Sequence, residues 1–211
     1  MQAAAENLRT AKEDAFNCMH VLRQARAAAY TANTAESRYL LDPVFAPNYE
    51  QVFFSNIAQI AQIPHGQTVE TIASAYNFQG KKVDGFKGYI ADELNNITFA
   101  GEKEAALASL ITLGKYLAID QQIRQLERSS KHQEAIALCL GNKFGQSNWL
   151  FEEFKTANQK TFDINQAAFD KAIGQGFSNV DGFEIKTGIA VGMIALLSFL
   201  GLLPCLKEYS N

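Results

Sequence analysis

Residues 8–39, LRTAKEDAFNCMHVLRQARAAAYTANTAESRY, carry the clearest structural pattern in the chain. Small and apolar side chains recur along it at alternating spacings of three and four residues, the period of one face of an α-helix. This face carries Leu8, Ala11, Ala15, Cys18, Leu22, Ala25, Ala29 and Ala32, followed by Glu36 and Tyr39. Because most of these side chains are small, the pattern predicts a helix over residues 3–41 whose neighbours approach it closely.

The same periodicity predicts three further long helices downstream. Pro47 suits a first helical turn and opens the second, the third runs from about Glu102 to Arg128, and Ser147 can cap the fourth, which continues to Gly174. A short amphipathic segment at 132–140 and a loop-rich insert at about 79–101 lie between them. The insert has room for a short helix around Tyr89 to Leu94, and Thr68 with Thr71 can start either a short helix or a resumed second helix through Phe78. This order predicts an all-α fold with an antiparallel four-helix bundle over residues 1–175.

A long uncharged stretch, TGIAVGMIALLSFLGLLPCL, occupies residues 187–206. Twenty residues of helix span about 30 Å, which matches the hydrocarbon thickness of a bilayer. The stretch therefore predicts one C-terminal transmembrane helix, joined to the bundle by a hinge at 176–186 and followed by a short tail at 207–211. The alternative is a central helix of a soluble bundle, apolar all round because it is buried all round. The amphipathic helices of the bundle can already bury their apolar faces against one another, and a fully apolar helix would need covering on every side. This favours the membrane interpretation.

Gly188 and Gly192 form a G-x-x-x-G pattern within this stretch, which permits close helix packing in lipid and predicts a homodimer or a membrane-protein partner. Lys186 and Lys207 flank the stretch on opposite sides, so the positive-inside bias gives no orientation. No apolar signal segment opens residues 1–14. We therefore expect a single-pass protein of the cell membrane. The sequence leaves open whether an additional membrane segment lies upstream.

Composition and motifs argue against an enzyme, a metalloprotein and a nucleic-acid-binding protein. The net charge is −3 and no basic stripe is present, whereas nucleic-acid phosphates are bound by clustered lysine and arginine. None of the three histidines follows a glutamate by three residues, as di-iron helical bundles require, and no phosphate-loop or nucleophile-elbow motif occurs. No catalytic residue, cofactor or metal is predicted. Cys18 and Cys139 are either paired or, as we favour, two buried free thiols.

The candidate binding residues lie in the first helix. Arg23 and Arg26 are one turn apart and could clamp a carboxylate between helices through bidentate hydrogen bonds, and Arg38 is a third candidate. The competing interpretation is a solvated helix face with Glu36 near Arg38.

Three short stretches carry a resemblance to a known family. AESRYLLD at residues 35–42 resembles a pattern in four-helix extracytoplasmic domains of bacterial membrane proteins, and NNITFAGE at 95–102 and GLLP at 201–204 are similar too. The family comprises uncharacterised integral membrane proteins of actinobacteria and cyanobacteria, which look like chemoreceptor or sensor-kinase input domains without a signalling module. The resemblance implies a non-enzymatic input or interaction domain outside the cytoplasm, anchored in the lipid bilayer and acting through a partner.

Two other functions are compatible with the same features. A structural subunit could scaffold a membrane complex through the glycine pair and a face of the helical bundle. A membrane-active protein could insert its C-terminal helix only on demand.

Overall fold

The computed structural model describes residues 2–80 and 82–208, with side chains described except at residues 2, 79, 183–186 and 200–208. The regular structure of this part of the chain is helical apart from one isolated antiparallel bridge between Gln62 and Lys87, and the predicted all-α class is confirmed. The helices are α1 (Gln2–Arg9), α2 (Asn17–Leu41), α3 (Ala46–Ile60), α4 (Val69–Ser74), α5 (Tyr89–Asn95), α6 (Glu102–Arg128), α7 (His132–Leu140), α8 (Ser147–Val180) and α9 (Phe183–Glu208).

The first two helices form one continuous rod. A π-helical segment, Thr10–Phe16, joins them, and the residues on either side of it keep right-handed helical torsion angles. The predicted face of this rod is buried, except that Leu8 is exposed and Tyr39 is half-buried. The rod ends at Leu41 because Asp42 precedes a proline and leaves the α region.

The alanine-rich face of α2 lies at the centre of the main core. Ala25, Ala29 and Ala32 are at most 3% exposed, and larger side chains from α3, α6 and α8 fill the space beside them. These larger side chains are Phe53, Ile57, Ile60, Leu110, Leu113, Tyr116, Phe151 and Phe154. Burying each of the large apolar side chains contributes roughly 1.5–3 kcal/mol, so small residues on α2 and large ones on its neighbours together build the core.

The middle of the chain contains the short helical segments expected after Thr68 and around Tyr89 to Leu94. Thr68 and Thr71 form a reciprocal capping box that starts α4, and a π-helical turn, Ala75–Gln79, continues it to Gly80, whose φ is +59°. Helix α5 lies within the predicted loop-rich insert. It forms there because Ile90 and Leu94 are buried in the main core, which offsets the weak local signal.

The fourth long helix extends further than predicted. Helix α8 continues through Gly174 and Gly176 to Val180, so only residues 181–182 separate it from α9, and the predicted hinge at 176–186 is too long. The physical reason is packing of α1 against this part of α8, where a Cβ at Gly176 would lie 3.9 Å from Cβ of Asn7. Such contacts outweigh the cost of about 1 kcal/mol for each glycine in a helix.

The side chains of α9 are exposed at every described position, residues 187–199. In the described part of the span, residues 187–199, the alternative of a helix buried at the centre of the bundle is therefore wrong. Among the residues that the structure describes, no helix combines the length and the apolar character needed to cross a membrane. Residues 200–206 of the predicted span and the tail at 207–211 lie outside the described side chains.

Gly114 of α6 is expected to tolerate no side chain, because α4 approaches it closely. A Cβ at this position would lie 2.9 Å from Cγ1 and 3.1 Å from Cβ of Val69, a stiff β-branched residue. We expect Gly114→Ala to lower the free energy of unfolding by about 1–3 kcal/mol, because this overlap outweighs the gain of about 1 kcal/mol in helix propensity. Urea unfolding of the two proteins measures the difference.

Gly174→Ala is the matched control, since Gly174 also lies inside a long helix but a Cβ there would meet nothing within 4 Å. This substitution should raise the free energy of unfolding by about 0.5–1 kcal/mol. Equal stabilisation by both alanines would contradict the close approach of α4 to α6.

Candidate functional site

A cleft between α2 and α8 contains two of the three arginines that the sequence singles out. Its volume is about 380 Å³, and it is lined by Leu22, Arg23, Arg26, Asn158, Gln159 and Phe162. The three residues from each helix lie within about one turn of one another, so two short helix faces oppose each other across the cleft.

The polar groups of this cleft are mostly hydrogen-bond donors. Nη1 of Arg26 donates to Oε1 of Gln159 at 2.6 Å, and the guanidinium of Arg23 lies 5.0 Å from the ring centroid of Phe162. Asn158 is 2% exposed, and its Nδ2 has no hydrogen-bond partner. No carboxylate in the described part of the chain forms an ion pair with either arginine. The cleft therefore offers two positive charges, and an amide donor without a partner is buried in its wall.

Arg38 does not belong to this cleft. Its guanidinium lies 5.8 Å from the ring centroid of Tyr49, beside a second cleft of about 430 Å³ between α2 and α3. The twelve helical residues from Arg26 to Arg38 correspond to roughly 18 Å. One small ligand cannot contact all three arginines, so the structure divides the predicted set into a pair and a separate residue.

Gly188 and Gly192 lie on α9, and a Cβ at either position would meet nothing within 4 Å. Their face of α9 is thus open in the described chain. Their role in packing against another helix stays a prediction.

The interpretation of Glu36 as part of a solvated face beside Arg38 is wrong. Glu36 is fully buried, and its Oε2 accepts hydrogen bonds from Oγ of Ser147 at 2.6 Å and from the hydroxyl of Tyr116 at 3.3 Å. Its Oε1 has no partner. Burial raises the pKa of Glu36 to about 8, although the hydrogen bond from Ser147 opposes this effect.

Arg124 is a buried cation beside this carboxyl group. It is 2% exposed, and its Nε donates to Asp120 at 2.8 Å while its Nη1 donates to Glu50 at 3.2 Å. Aromatic rings lie 4.5–4.9 Å from its guanidinium carbon and belong to Tyr39, Phe53 and Phe54. Burying a charge is costly unless it is paired, so these contacts make Arg124 a structural residue rather than a free binding group.

A second buried polar cluster joins four helices, and no sequence motif predicts it. Cys18, Glu93, Glu102 and Asn165 come from α2, α5, α6 and α8 and are each at most 3% exposed. Among the described residues, Cys18 with the two glutamates is the one group of three or more side chains whose spacing could hold a metal ion. Both Cys18 and Cys139 are free thiols, which resolves the pairing question left open by the sequence.

Helical periodicity marked two members of these clusters without showing their partners. Cys18 and Glu36 both lie on the alanine-rich face of α2, where a polar residue must meet polar neighbours once the face is buried. That position is the signal from which burial could have been inferred. The partners come from distant helices, and periodicity does not show which helices meet.

Comparisons with known proteins identify no family, because no protein-family model, no curated protein and no solved structure matches the chain significantly. Function has to be inferred from the chain's own geometry.

The buried Glu36 should make the folded protein less stable as pH rises. Its pKa is about 8 in the folded state and near the ordinary 4.5 in the unfolded chain, so the folded state holds a proton that the unfolded chain releases between these pH values. The contribution of Glu36 to the free energy of unfolding should fall across this window by up to about 1.4 kcal/mol per pH unit and level off above it. Urea unfolding at several pH values measures the slope.

Glu36→Gln should reduce that slope, because an amide cannot ionise. Part of the slope should remain, since burial and the neighbouring charge of Glu102 raise the pKa of Glu93 to about 8 as well. Glu153→Gln, at an exposed position of α8, is the control and should leave the slope unchanged. If the Glu36→Gln protein had the wild-type slope, Glu36 would not be the group that binds the proton in the folded state.

Proposed function

We propose that the protein is a non-enzymatic, membrane-anchored input domain that binds a small carboxylate anion and acts through a partner. The observation that carries the proposal is the cleft between α2 and α8, where two arginines and a buried amide converge without a carboxylate partner. Guanidinium groups bind carboxylates bidentately, and such charge-assisted hydrogen bonds are among the strongest in proteins.

The free amide of Asn158 adds a reason for a ligand to bind. A buried donor without a partner costs about 1–3 kcal/mol, and a ligand oxygen that accepts from Nδ2 would relieve that cost. Leu22 and Phe162 supply the apolar part of the lining. A volume of about 380 Å³ suits a small molecule, so the favoured ligand is a small carboxylate with a short apolar portion.

The proposal includes the finer architecture. The longest helices of the packed part are α2, α3, α6 and α8, and α2 contacts α3 and α8 while α6 contacts α8. These contacts support an antiparallel four-helix bundle, with the shorter helices as connections. The exposed apolar side chains of α9 support an anchoring role for residues 187–206 in the cell membrane, with the bundle outside the cytoplasm.

A binding signal would travel through α8 in this arrangement. Helix α8 lines the cleft at residues 158–162 and ends two residues before α9 begins. A ligand that shifts α8 relative to α2 would thereby move the start of α9.

A scaffold subunit of a membrane complex is the alternative function. The observation in its favour is the open face at Gly188 and Gly192, where another helix backbone could approach. Purification in mild detergent distinguishes the two functions: a stoichiometric complex with other proteins favours the scaffold, and a lone chain or dimer favours the input domain.

Anion binding should depend on Arg26 and Arg23 but not on Arg38. Calorimetry with acetate, pyruvate and succinate should detect one site per chain, and Arg26→Ala should weaken it by about 10–100-fold, because hydrogen bonds to charged groups are worth about 1.5–3 kcal/mol. Arg26→Lys keeps the charge without the bidentate geometry and should show an intermediate loss.

Arg38→Ala is the matched control, since it removes the same charge from an exposed position of the same helix. Asn158→Leu should also weaken binding while leaving the ligand-free protein at least as stable, because it removes a buried donor that has no partner. Absence of heat for every carboxylate in the wild-type protein would refute the proposed binding site.

Membrane anchoring should depend on the apolar side chains of α9. We expect the full chain to float with lipid vesicles, and the double substitution Ile194→Asp and Leu197→Asp to abolish flotation, because each aspartate costs about 2.5–3.5 kcal/mol near the bilayer centre. Phe144→Asp is the control, since it removes an apolar side chain that is 85% exposed outside α9. A monomeric full chain that stays dispersed without detergent would overturn constitutive anchoring.

A further inference from the structure

The cluster of Cys18, Glu93, Glu102 and Asn165 has an unusual chemical balance for a buried site. Each residue comes from a different helix, and the donor atoms of Cys18, Glu93 and Glu102 all lie within 4.8 Å of one another. Two carboxyl groups and a thiol are thus brought together away from water. Isolated buried charges cost several kcal/mol each, so these groups must either keep their protons or share a positive ion that balances their charges.

Hydrogen-bond donors in this cluster are too few for the acceptors. Nδ2 of Asn165 lies 2.7 Å from Oε1 of Glu102, 3.2 Å from Oε1 of Glu93 and 3.1 Å from the carbonyl oxygen of Thr161. Its two hydrogens can fully serve only two of these three oxygens. Oε2 of Glu93 has no partner, although Glu93 is only 1% exposed.

The remaining ligand atoms are held by donors that orient them. Oε2 of Glu102 accepts from the backbone N–H groups of Thr98 and Phe99 at 2.7 and 2.9 Å. Sγ of Cys18 accepts from Nδ2 of Asn96 at 3.1 Å. Burial and the charge of Glu93 raise the pKa of the Cys18 thiol well above its usual range, and this hydrogen bond only partly opposes them. A bound metal ion would therefore have to displace the thiol proton, since the thiolate is the form that binds metal ions.

We propose that Cys18, Glu93 and Glu102 bind one divalent transition-metal ion of the zinc class, with Oε2 of Glu93 as a ligand. A mixed set of thiolate and carboxylates suits such borderline ions better than Mg²⁺ or Ca²⁺, which prefer oxygen alone, or Cu⁺, which prefers sulfur. Tetrahedral zinc ligands lie about 3.3–3.8 Å apart, so the three donor atoms need move only by about 1 Å to reach one ion.

The other buried polar cluster has more donors for its carboxyl group, although Oε1 of Glu36 also has no partner. At Glu36 the carboxyl group faces three groups that can donate, the hydroxyls of Ser147 and Tyr116 and the thiol of Cys139. No second carboxyl group forms part of a metal-sized cluster there in the described chain. Cys139 therefore serves as a matched control for Cys18, being an equally buried thiol beside a glutamate.

The competing occupant of the proposed site is a single proton shared between Glu93 and Glu102. It would also reduce the repulsion between the two carboxylates, but it would leave the thiol without a metal-binding role. Metal content and the ligand spectrum of the sulfur distinguish these two occupants.

The test uses the untagged full chain in a Cys205→Ser background, so that the thiols are limited to Cys18 and Cys139. The protein is refolded from urea with Zn²⁺ or Co²⁺, because a fully buried site is filled most readily during folding, and loosely bound metal is removed by chelator and gel filtration. We expect one metal per chain by atomic emission, a thiolate-to-cobalt charge-transfer band in the near ultraviolet, and a higher melting temperature with metal than without.

Cys18→Ser should abolish the charge-transfer band and the metal-dependent rise in melting temperature, and Cys139→Ser should keep both. Glu93→Gln keeps the size of the side chain and should lower the affinity for the metal ion by about tenfold or more. Wild-type protein that retains no metal after refolding overturns the proposal and leaves the shared proton as the occupant. Metal that Cys18→Ser retains to the same level would overturn it too, because the ion would then lie elsewhere.

Discussion

The close approach of neighbouring helices to the alanine-rich face of α2 is the constraint on which the structure depends. Alanine side chains add little thickness to a helix, so aromatic rings from α3, α6 and α8 can reach the space beside Ala25, Ala29 and Ala32. The same face sets the separation of α2 from α8, and that separation defines the cleft of Arg23 and Arg26. A larger residue on this face would disturb the core and the cleft together, because interiors packed this closely have no spare volume.

Polar residues interrupt this face at Cys18 and Glu36, about 27 Å apart along the helix. The core between them is mainly apolar, and a cluster of hydrogen-bonding groups surrounds each. Such clusters cost stability, because Glu36 and Glu93 each keep a buried oxygen without a partner. In return, they restrict which helices can pack at each end, since a shifted register would leave further buried polar groups unpaired.

The sequence predicted where the helices lie along the chain, but it predicted poorly which helices pack against each other. The bounds of α6 and α7 follow from local signals and are confirmed, as is the rod of α1 and α2 apart from the exposure of Leu8. The extension of α8 beyond Gly176 depends on packing against α1, which no local signal contains. The Cys18 cluster was missed for the same reason. Glu93 and Glu102 come close to Cys18 only when α5 and α6 pack against α2, and no local signal shows that packing. The separation of Arg38 from Arg26, by contrast, could have been obtained from the rise of a helix alone.

The cleft and the Cys18 cluster are neighbours along the same two helices. Cys18 lies one turn before Leu22 on α2, and Asn165 lies one turn after Phe162 on α8, so both sites span the same pair of helices at adjacent levels. Helices are stiff over one turn, and whatever fixes their separation at one level constrains it at the next. The alanine-rich face of α2 thus places a buried polar cluster and an open cleft at adjacent levels of one helix pair, and the separation of α2 from α8 fixes the geometry of both.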